Sequence, residues 1–146
     1  MSNLLFATKL VSKLSTSIFA GSAFYCGVVE HSATLKTGSN AGIDHWRHMY
    51  ERAAPIQAGL SVVAFSSAFG AYHLTKDKYW LAAGLLMSTL IPYTLLVMMP
   101  TNKRMLDKSL DKESSTAKDL LEKWGWMHSV RSIIGLFALV LTTSIN

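Results

Sequence analysis

The sequence predicts an all-α fold, an integral membrane four-helix bundle with both termini on the same side of the membrane. Half of the 146 residues are hydrophobic, only 16% are charged, and the hydrophobic residues are gathered into long uncharged runs. A water-soluble domain this small has too little interior to hide so much apolar surface. Residues 1–146 are therefore expected to form a single membrane domain.

Four runs are candidates for the membrane spans, at approximately residues 4–30, 53–73, 79–100 and 124–144. A helix needs about 20 apolar residues to cross a hydrocarbon core of roughly 30 Å. Pro55 suits the first turn of the second helix, where its missing N–H would be unpaired in any case. In the first run, Lys9 and Lys13 would extend their amines towards the headgroups.

The N-terminal segment has a second interpretation. It holds no acidic residue before Glu30 and mixes lysine with serine, as mitochondrial presequences do, although it lacks arginine. The sequence leaves a cleaved leader and a first membrane helix open as alternatives.

The connections between the spans differ in length and charge. A tight connection of about six residues lies at 73–78, and two longer ones lie at 31–52 and 102–123. Four spans place both long connections on the side opposite the termini, and these connections hold nine of the 14 Lys and Arg residues. By the positive-inside rule this long-loop face is cytosolic or its equivalent, so the protein is predicted to be a multi-pass membrane protein of unspecified organelle.

The residues that could carry chemistry are predicted at the long-loop face. Four of the five histidines converge there: His31, His45, His48 and His128. Trp124, His128 and Arg131 are spaced i, i+4 and i+7, so they form one stripe on a helix, and Arg131 falls a turn or two below the membrane surface. A charge at that depth extends to the headgroups, pairs with Glu30 or Glu51, or serves a function.

Aromatic residues at the same face have a simpler interpretation. Trp46, Tyr50 and Trp126 are typical of the aromatic belt that lies at a membrane–water interface. Trp124 is the exception, because it lies on the stripe with His128.

Composition and spacing weigh against several other classes. The net charge of +5 comes without a basic stretch interleaved with aromatic residues, so no nucleic-acid partner is expected. The single cysteine, Cys26, allows neither a disulfide framework nor a cysteine metal cluster. No cofactor is expected, because metal-binding spacings such as HExxH are absent. The minority alternative is a metal bound by a subset of His31, His45, His48, His128 and Glu30.

The same residues form an ordered series along the chain. The series runs Tyr25, Glu30-His31-Ser32-Ala33, Trp46, Tyr50-Glu51-Arg52-Ala53, Gln57, Pro92, Thr94, Pro100-Thr101-Asn102, Leu106, Trp124, His128 and Arg131. It resembles the anthrone oxygenase family of small four-helix membrane proteins, from about Gly21 to the C-terminus. The Pro-Thr-Asn and Trp-x₃-His-x₂-Arg elements are the most specific parts. Ser32 departs from the pattern, which often has proline after the histidine.

The resemblance implies a membrane-bound oxidoreductase of the monooxygenase type, which oxidises an aromatic or phenolic small molecule with molecular oxygen and without flavin or haem. In this hypothesis His128 or His31 takes the acidic methylene proton of an anthrone, while Arg131 and Asn102 stabilise the oxyanion. Substrate binding falls to a second group: Trp124, Tyr50, Gln57 and Glu30.

A non-catalytic role is the alternative. The chain would then be an accessory subunit or scaffold of a larger membrane complex, whose polar end stabilises its own helices or binds a partner. The expected partners are a hydrophobic aromatic molecule, oxygen and membrane lipid, and assembly as a homo-oligomer or in a larger complex stays open. A transporter ranks third, because no inverted repeat is visible.

Overall fold

The structure is a computed structural model that describes residues 3–144, and within this range the chain is helical and has no β-strand. The all-α prediction is confirmed. The helices are α1 (Asn3–Tyr25), α2 (Ser32–Lys36), α3 (Ser39–Thr75), α4 (Lys78–Tyr93), α5 (Met99–Leu106) and α6 (Ser115–Thr143). Two π-helical turns, Cys26–His31 and Thr94–Met98, join α1 to α2 and α4 to α5.

The long helices α1, α3, α4 and α6 pack side by side, each antiparallel to its neighbours. Ser61 in α3 donates a hydrogen bond of 2.8 Å to the backbone carbonyl of Met87 in α4. Alanines at 0–1% exposure line the contacts, and such small residues let helix backbones approach closely. Phe19 of α1 meets Gly135 of α6, and Ala23, one turn further along α1, meets the earlier residues His128 and Ser132 of α6. The two helices therefore run in opposite directions, which places Asn3 and Ser144 at the same end of the molecule.

Three of the helical segments are long and apolar enough to cross a membrane: Ser39–Thr75, the continuous Lys78–Leu106, and Ser115–Thr143. These three are consistent with a multi-pass membrane protein. Helix α1 is not among them, because serines, threonines and two lysines dilute its apolar residues. Its outer side nevertheless exposes large apolar side chains, including Phe6 at 56% and Ile18 at 55%. The first span therefore stays a prediction.

The long connection predicted at 31–52 is mostly helical in the structure. Only Thr37 and Gly38 separate α2 from α3, and Gly38 has a φ of 84°, a backbone conformation that favours glycine. Helix α3 therefore begins at Ser39, and Pro55 lies inside it rather than in its first turn. The prediction for Pro55 was wrong, because the polar residues before it continue the helix instead of forming a loop.

The segment from Asp107 to Ser114 is tied to the start of α3. Arg47 donates from Nε to the carbonyl of Met105 at 2.7 Å and from Nη2 to the carbonyl of Asp107 at 2.6 Å. Lys112 and Asp44 form an ion pair with 2.5 Å between Nζ and Oδ2. Ser109 donates from its backbone N–H and its hydroxyl to the carboxylate of Asp107, which lowers the pKa of that carboxyl. These bonds hold the segment over the end of the molecule that contains His31, Asn102, His128 and Arg131. We call this end the polar end.

Candidate active site

The polar end is built where both π-helical turns meet α3 and α6. One turn follows α1 at Cys26–His31, and the other follows Pro92 at Thr94–Met98. A π-helical turn widens the helix locally and occurs often at functional sites. Two such turns on neighbouring helices make room between α1, α3, α4 and α6 for the side chains and cavities described next.

His128 is held in one tautomer by the backbone of α1. Its Nε2 lies 3.0 Å from the carbonyl oxygen of Ala23, and a carbonyl can only accept, so Nε2 carries the proton. Ser132 donates to the same carbonyl at 3.0 Å. The second ring nitrogen, Nδ1, is buried without a hydrogen-bond partner within residues 3–144. The neutral ring therefore presents a free lone pair, which is what a general base needs.

Aromatic rings fix the plane of His128. Trp124 stacks on it with 4.6 Å between ring centroids and 16° between the planes. Trp46 meets the edge of Trp124 at 5.8 Å, and Tyr50 stacks on Trp46 at 4.8 Å. Trp46 is only 1% exposed, so its assignment to an interfacial belt was wrong, whereas Trp126 is 79% exposed and its place in a belt stays a prediction. Trp46 is buried because it packs against the stripe that carries Trp124.

Arg131 is a largely buried cation. Its guanidinium lies over the ring of Phe19, with 5.6 Å from Cζ to the ring centroid. Within residues 3–144 it forms no ion pair with a carboxylate, and its Nε has no hydrogen-bond partner. Glu30, one of the two partners considered from sequence, pairs with His45 instead. An unpaired cation in a poorly solvated place attracts an anion.

Two cavities meet at Arg131. The outer cavity has a volume of about 280 Å³ and lies between α3 and α4, and its lining includes Pro55, Ala58, Ser61, Leu90, Ile91, Leu95 and Met99. The inner cavity, of about 20 Å³, is lined by Cys26, Met49, Ala53, Trp124 and His128. Four residues line both cavities: Tyr50, Ala54, Gln57 and Arg131. Arg131 and the polar side chains of Tyr50 and Gln57 therefore lie between the outer cavity and the inner cavity, which His128 lines.

Three of the residues predicted for the site line neither cavity. Asn102 is buried and donates from Nδ2 to the hydroxyl of Tyr50 at 3.4 Å, so it can orient Tyr50. His31 lies against Trp124, with 5.1 Å between the ring centroids, and lines a separate groove beside Trp126. Burial lowers the pKa of His31. The nearby charge of Glu30 and a hydrogen bond to the backbone of Leu121 offset part of this decrease.

Glu30 also lies away from these two cavities and lines a third one together with His45. Its Oε1 is 2.6 Å from Nε2 of His45, and its Oε2 accepts a hydrogen bond of 3.4 Å from the Cys26 thiol. The described residues contain no group of three or more His, Cys, Asp or Glu side chains placed to hold a metal ion. His48 is exposed and belongs to no such group.

The stripe of Trp124, His128 and Arg131 and most of the residues that line the two cavities lie within the range matched by one family model. The family model described as anthrone oxygenase matches residues 46–141. The chain belongs to the anthrone oxygenase family. The matched range holds every residue that lines the two cavities except Cys26.

Curated relatives agree with the family assignment. An anthrone oxygenase of Claviceps purpurea is 27% identical, and the match covers 90% of this chain and 84% of the relative. The anthrone oxygenase encC of Aspergillus fumigatus is 29% identical, over 76% of this chain and 80% of the relative. The anthrone oxygenase dmxR16 of a Cryptosporiopsis species is 24% identical, over 92% and 83%. No solved structure matches the chain. Membership of the anthrone oxygenase family supports an oxygenase-type function.

Cys26 is the site residue that the sequence did not indicate. It lines the inner cavity at 9% exposure, yet a lone cysteine in an apolar run gives no signal of function. Its place follows from the π-helical turn that begins at this residue. A π turn depends on packing between helices, which residue spacing within one helix does not reveal.

Replacing Gly125 with alanine should destabilise the polar end. A Cβ at Gly125 would lie 2.5 Å from Nε2 of His31, so the His31 ring would have to move away from Trp124. Crowding of this kind costs about 1–3 kcal/mol, and we expect a lower thermal unfolding midpoint. The matched control is Gly59→Ala in α3, where a Cβ meets nothing within 4 Å and alanine should stabilise the helix. An equal gain in both variants would contradict the packing described for His31.

Proposed function

We propose that this protein is a membrane-bound oxygenase that converts the methylene group of an anthrone-like phenolic substrate into a carbonyl. The observation that carries the proposal is the unpaired Arg131 cation, placed beside His128 at the junction of the two cavities. A base and a cation at one place are what an acidic C–H bond needs to lose its proton. The names of the curated relatives supply the substrate class.

The outer cavity suits a flat aromatic molecule. Its volume of about 280 Å³ lies near the lower end of the roughly 300–1,000 Å³ usual for small-molecule pockets. Its walls are largely apolar, and Tyr50 and Gln57 supply hydrogen-bonding groups for phenolic oxygens. In this proposal Trp124 does not bind the substrate face to face, because it lines only the small inner cavity and stacks on His128. It holds the base in position.

The reaction can be written with atoms and electrons balanced. With the substrate methylene at the junction of the two cavities, Nδ1 of His128 takes a proton from it, and the resulting enolate is stabilised by the positive charge of Arg131. The electron-rich enolate passes its electrons to molecular oxygen, and a carbon–oxygen bond forms. One oxygen atom stays in the new carbonyl and the other leaves as water, so that R₂CH₂ and O₂ give R₂C=O and H₂O.

The substrate reaches the cavity from the bilayer in this proposal. Pro55, Ala58 and Leu95 line the outer cavity and are exposed on the outside of the helices. The surface beside them is apolar, with Ile56 at 63% and Leu96 at 77% exposure. Soluble proteins rarely expose large apolar side chains so densely, and lipid is the solvent that such a surface suits. A hydrophobic aromatic substrate partitions into the same phase.

The proposed reaction uses no metal and no organic cofactor. The chemistry needs only a base, a cation and a substrate that is itself electron-rich, and the polar end supplies the first two. Metal analysis and mass spectrometry of the purified active protein test this part. A stoichiometric metal that is required for turnover would overturn it.

Oxygen consumption by the purified protein in lipid nanodiscs tests the proposed function. With an anthrone as substrate, we expect oxygen uptake well above the spontaneous rate. The spontaneous rate is measured in parallel with heat-denatured protein. With ¹⁸O₂, one labelled atom should appear in the quinone and one in water. Turnover at the spontaneous rate, together with comigration with a larger assembly on native gels, would instead favour the accessory-subunit alternative.

A further inference from the structure

Three side chains form a hydrogen-bonded row from the inner cavity to the surface. Cys26 lines the inner cavity, and its thiol donates to Oε2 of Glu30 at 3.4 Å. Oε1 of the same carboxylate lies 2.6 Å from Nε2 of His45. The side-chain exposure rises outwards, from 22% for Glu30 to 57% for His45, whereas Cys26 as a whole residue is 9% exposed. The row crosses from the core of the molecule to its aqueous end.

The inner end of this row has room for one water molecule. The cavity volume of about 20 Å³ exceeds the roughly 10–15 Å³ that a single water requires. A buried water also needs two or more polar partners. The residues that line the inner cavity include two with uncharged polar side chains, Tyr50 and Gln57, and the cation Arg131. The Cys26 thiol lines the same cavity.

We propose that Cys26, Glu30 and His45 form a proton path that links the inner cavity to the solvent at the polar end. A water in the inner cavity that has received a proton inside the site passes one to Sγ, while the thiol passes its own proton to the Glu30 carboxylate. Glu30 then passes its proton to Nε2 of a neutral His45 ring that is protonated at Nδ1, and Nδ1 releases its proton to solvent. Exchange of protons between the exposed ring and solvent restores the first tautomer. No bond other than those to hydrogen changes, no electron moves, and each group returns to its starting state.

The path gives the buried base access to bulk protons. A proton taken by His128 from a substrate would otherwise stay inside a site surrounded by apolar groups until oxygen reduction uses it. This use rests on the proposed function, but the path itself does not. The test of the path therefore requires neither substrate nor turnover. A negative result for oxygen uptake leaves the test of the path interpretable, and the reverse also holds.

The test follows the S–H stretching band of Cys26 by infrared spectroscopy after transfer of the protein into D₂O. Cys26 is the single cysteine of the chain, so the band has one source, and Cys26→Ser should remove it. In the native protein we expect rapid exchange of S–H to S–D. In Glu30→Gln, which keeps the size of the side chain but loses the carboxylate, exchange should slow on the order of tenfold or more.

The direction of the effect separates a proton path from a damaged fold. Loosening or local unfolding admits water and accelerates exchange, so slowed exchange cannot come from misfolding. Glu51→Gln is the matched control, because Glu51 is exposed on the same end and takes no part in the hydrogen bonds or the ion pair of the row within residues 3–144. Unchanged or faster exchange in Glu30→Gln would overturn the path.

His45→Gln decides the outer end of the path. Slower exchange in this variant, restored by imidazole added to the buffer, would support His45 as the last member, since the residue is exposed enough for imidazole to replace it. Native exchange in His45→Gln would overturn its membership. His48→Gln, another exposed histidine one turn further along α3, is the matched control.

Discussion

Replacing Arg131 with methionine should abolish most of the anthrone oxidation and at the same time make the protein harder to unfold. The guanidinium is largely buried, has no carboxylate partner within residues 3–144 and borders both cavities. Loss of the group that stabilises the oxyanion should lower kcat/KM by about 10²–10³-fold. Removing a buried charge that lacks a partner should raise the free energy of unfolding, by about 1 kcal/mol or more.

A decrease in activity together with an increase in the free energy of unfolding would distinguish a functional cation from a structural one. Oxygen uptake and denaturant unfolding are measured on the same detergent-solubilised samples. Arg104→Met is the matched control, because Arg104 is exposed in α5 and lines neither cavity. Arg131→Lys keeps the charge and should retain part of the activity. If Arg131→Met loses activity and stability together, the cation holds the helices in place and the proposed role fails.

The all-helical fold and the stripe of α6 could be predicted because both depend on the chain alone. Long apolar runs define helices whatever their neighbours, and the spacing of Trp124, His128 and Arg131 fixes them on one side of one helix. The structure places all three around the inner cavity. Information within a single helix was sufficient for this part of the site.

The rest of the site depends on how the helices are rotated against each other, which spacing does not determine. Asn102 and His31 are buried at the polar end, as the sequence suggested, but each contacts an aromatic residue and lines neither of the two cavities that meet at Arg131. Glu30 faces His45 because the π-helical turn after Tyr25 turns its side chain towards α3. Pro55 was predicted at a helix start because the uncharged run begins beside it. The actual start of α3 at Ser39 depends on contacts with other segments, which the run does not reveal.

Replacing His128 with glutamine should lower kcat by about 10²–10⁴-fold, because the side chain that takes the substrate proton is lost. The glutamine amide can still donate to the carbonyl of Ala23, so the packing of α1 on α6 should survive. Anaerobic exchange of the substrate's methylene hydrogens into D₂O isolates the proton-transfer step from the reaction with oxygen. Native protein should accelerate this exchange above the buffer rate, and His128→Gln should not. His48→Gln, at an exposed position, should behave as the native protein does.

The same assay decides between the two histidines that the sequence left open as the base. His31 points one unpartnered nitrogen, Nε2, towards Gly125, in a groove that neither cavity shares. No residue lines both this groove and the outer cavity, so a substrate in the outer cavity is not expected to contact that nitrogen. His31→Gln should therefore keep most of the anaerobic exchange activity. A larger loss in His31→Gln than in His128→Gln would assign the base to His31 and move the substrate to the opposite side of α6.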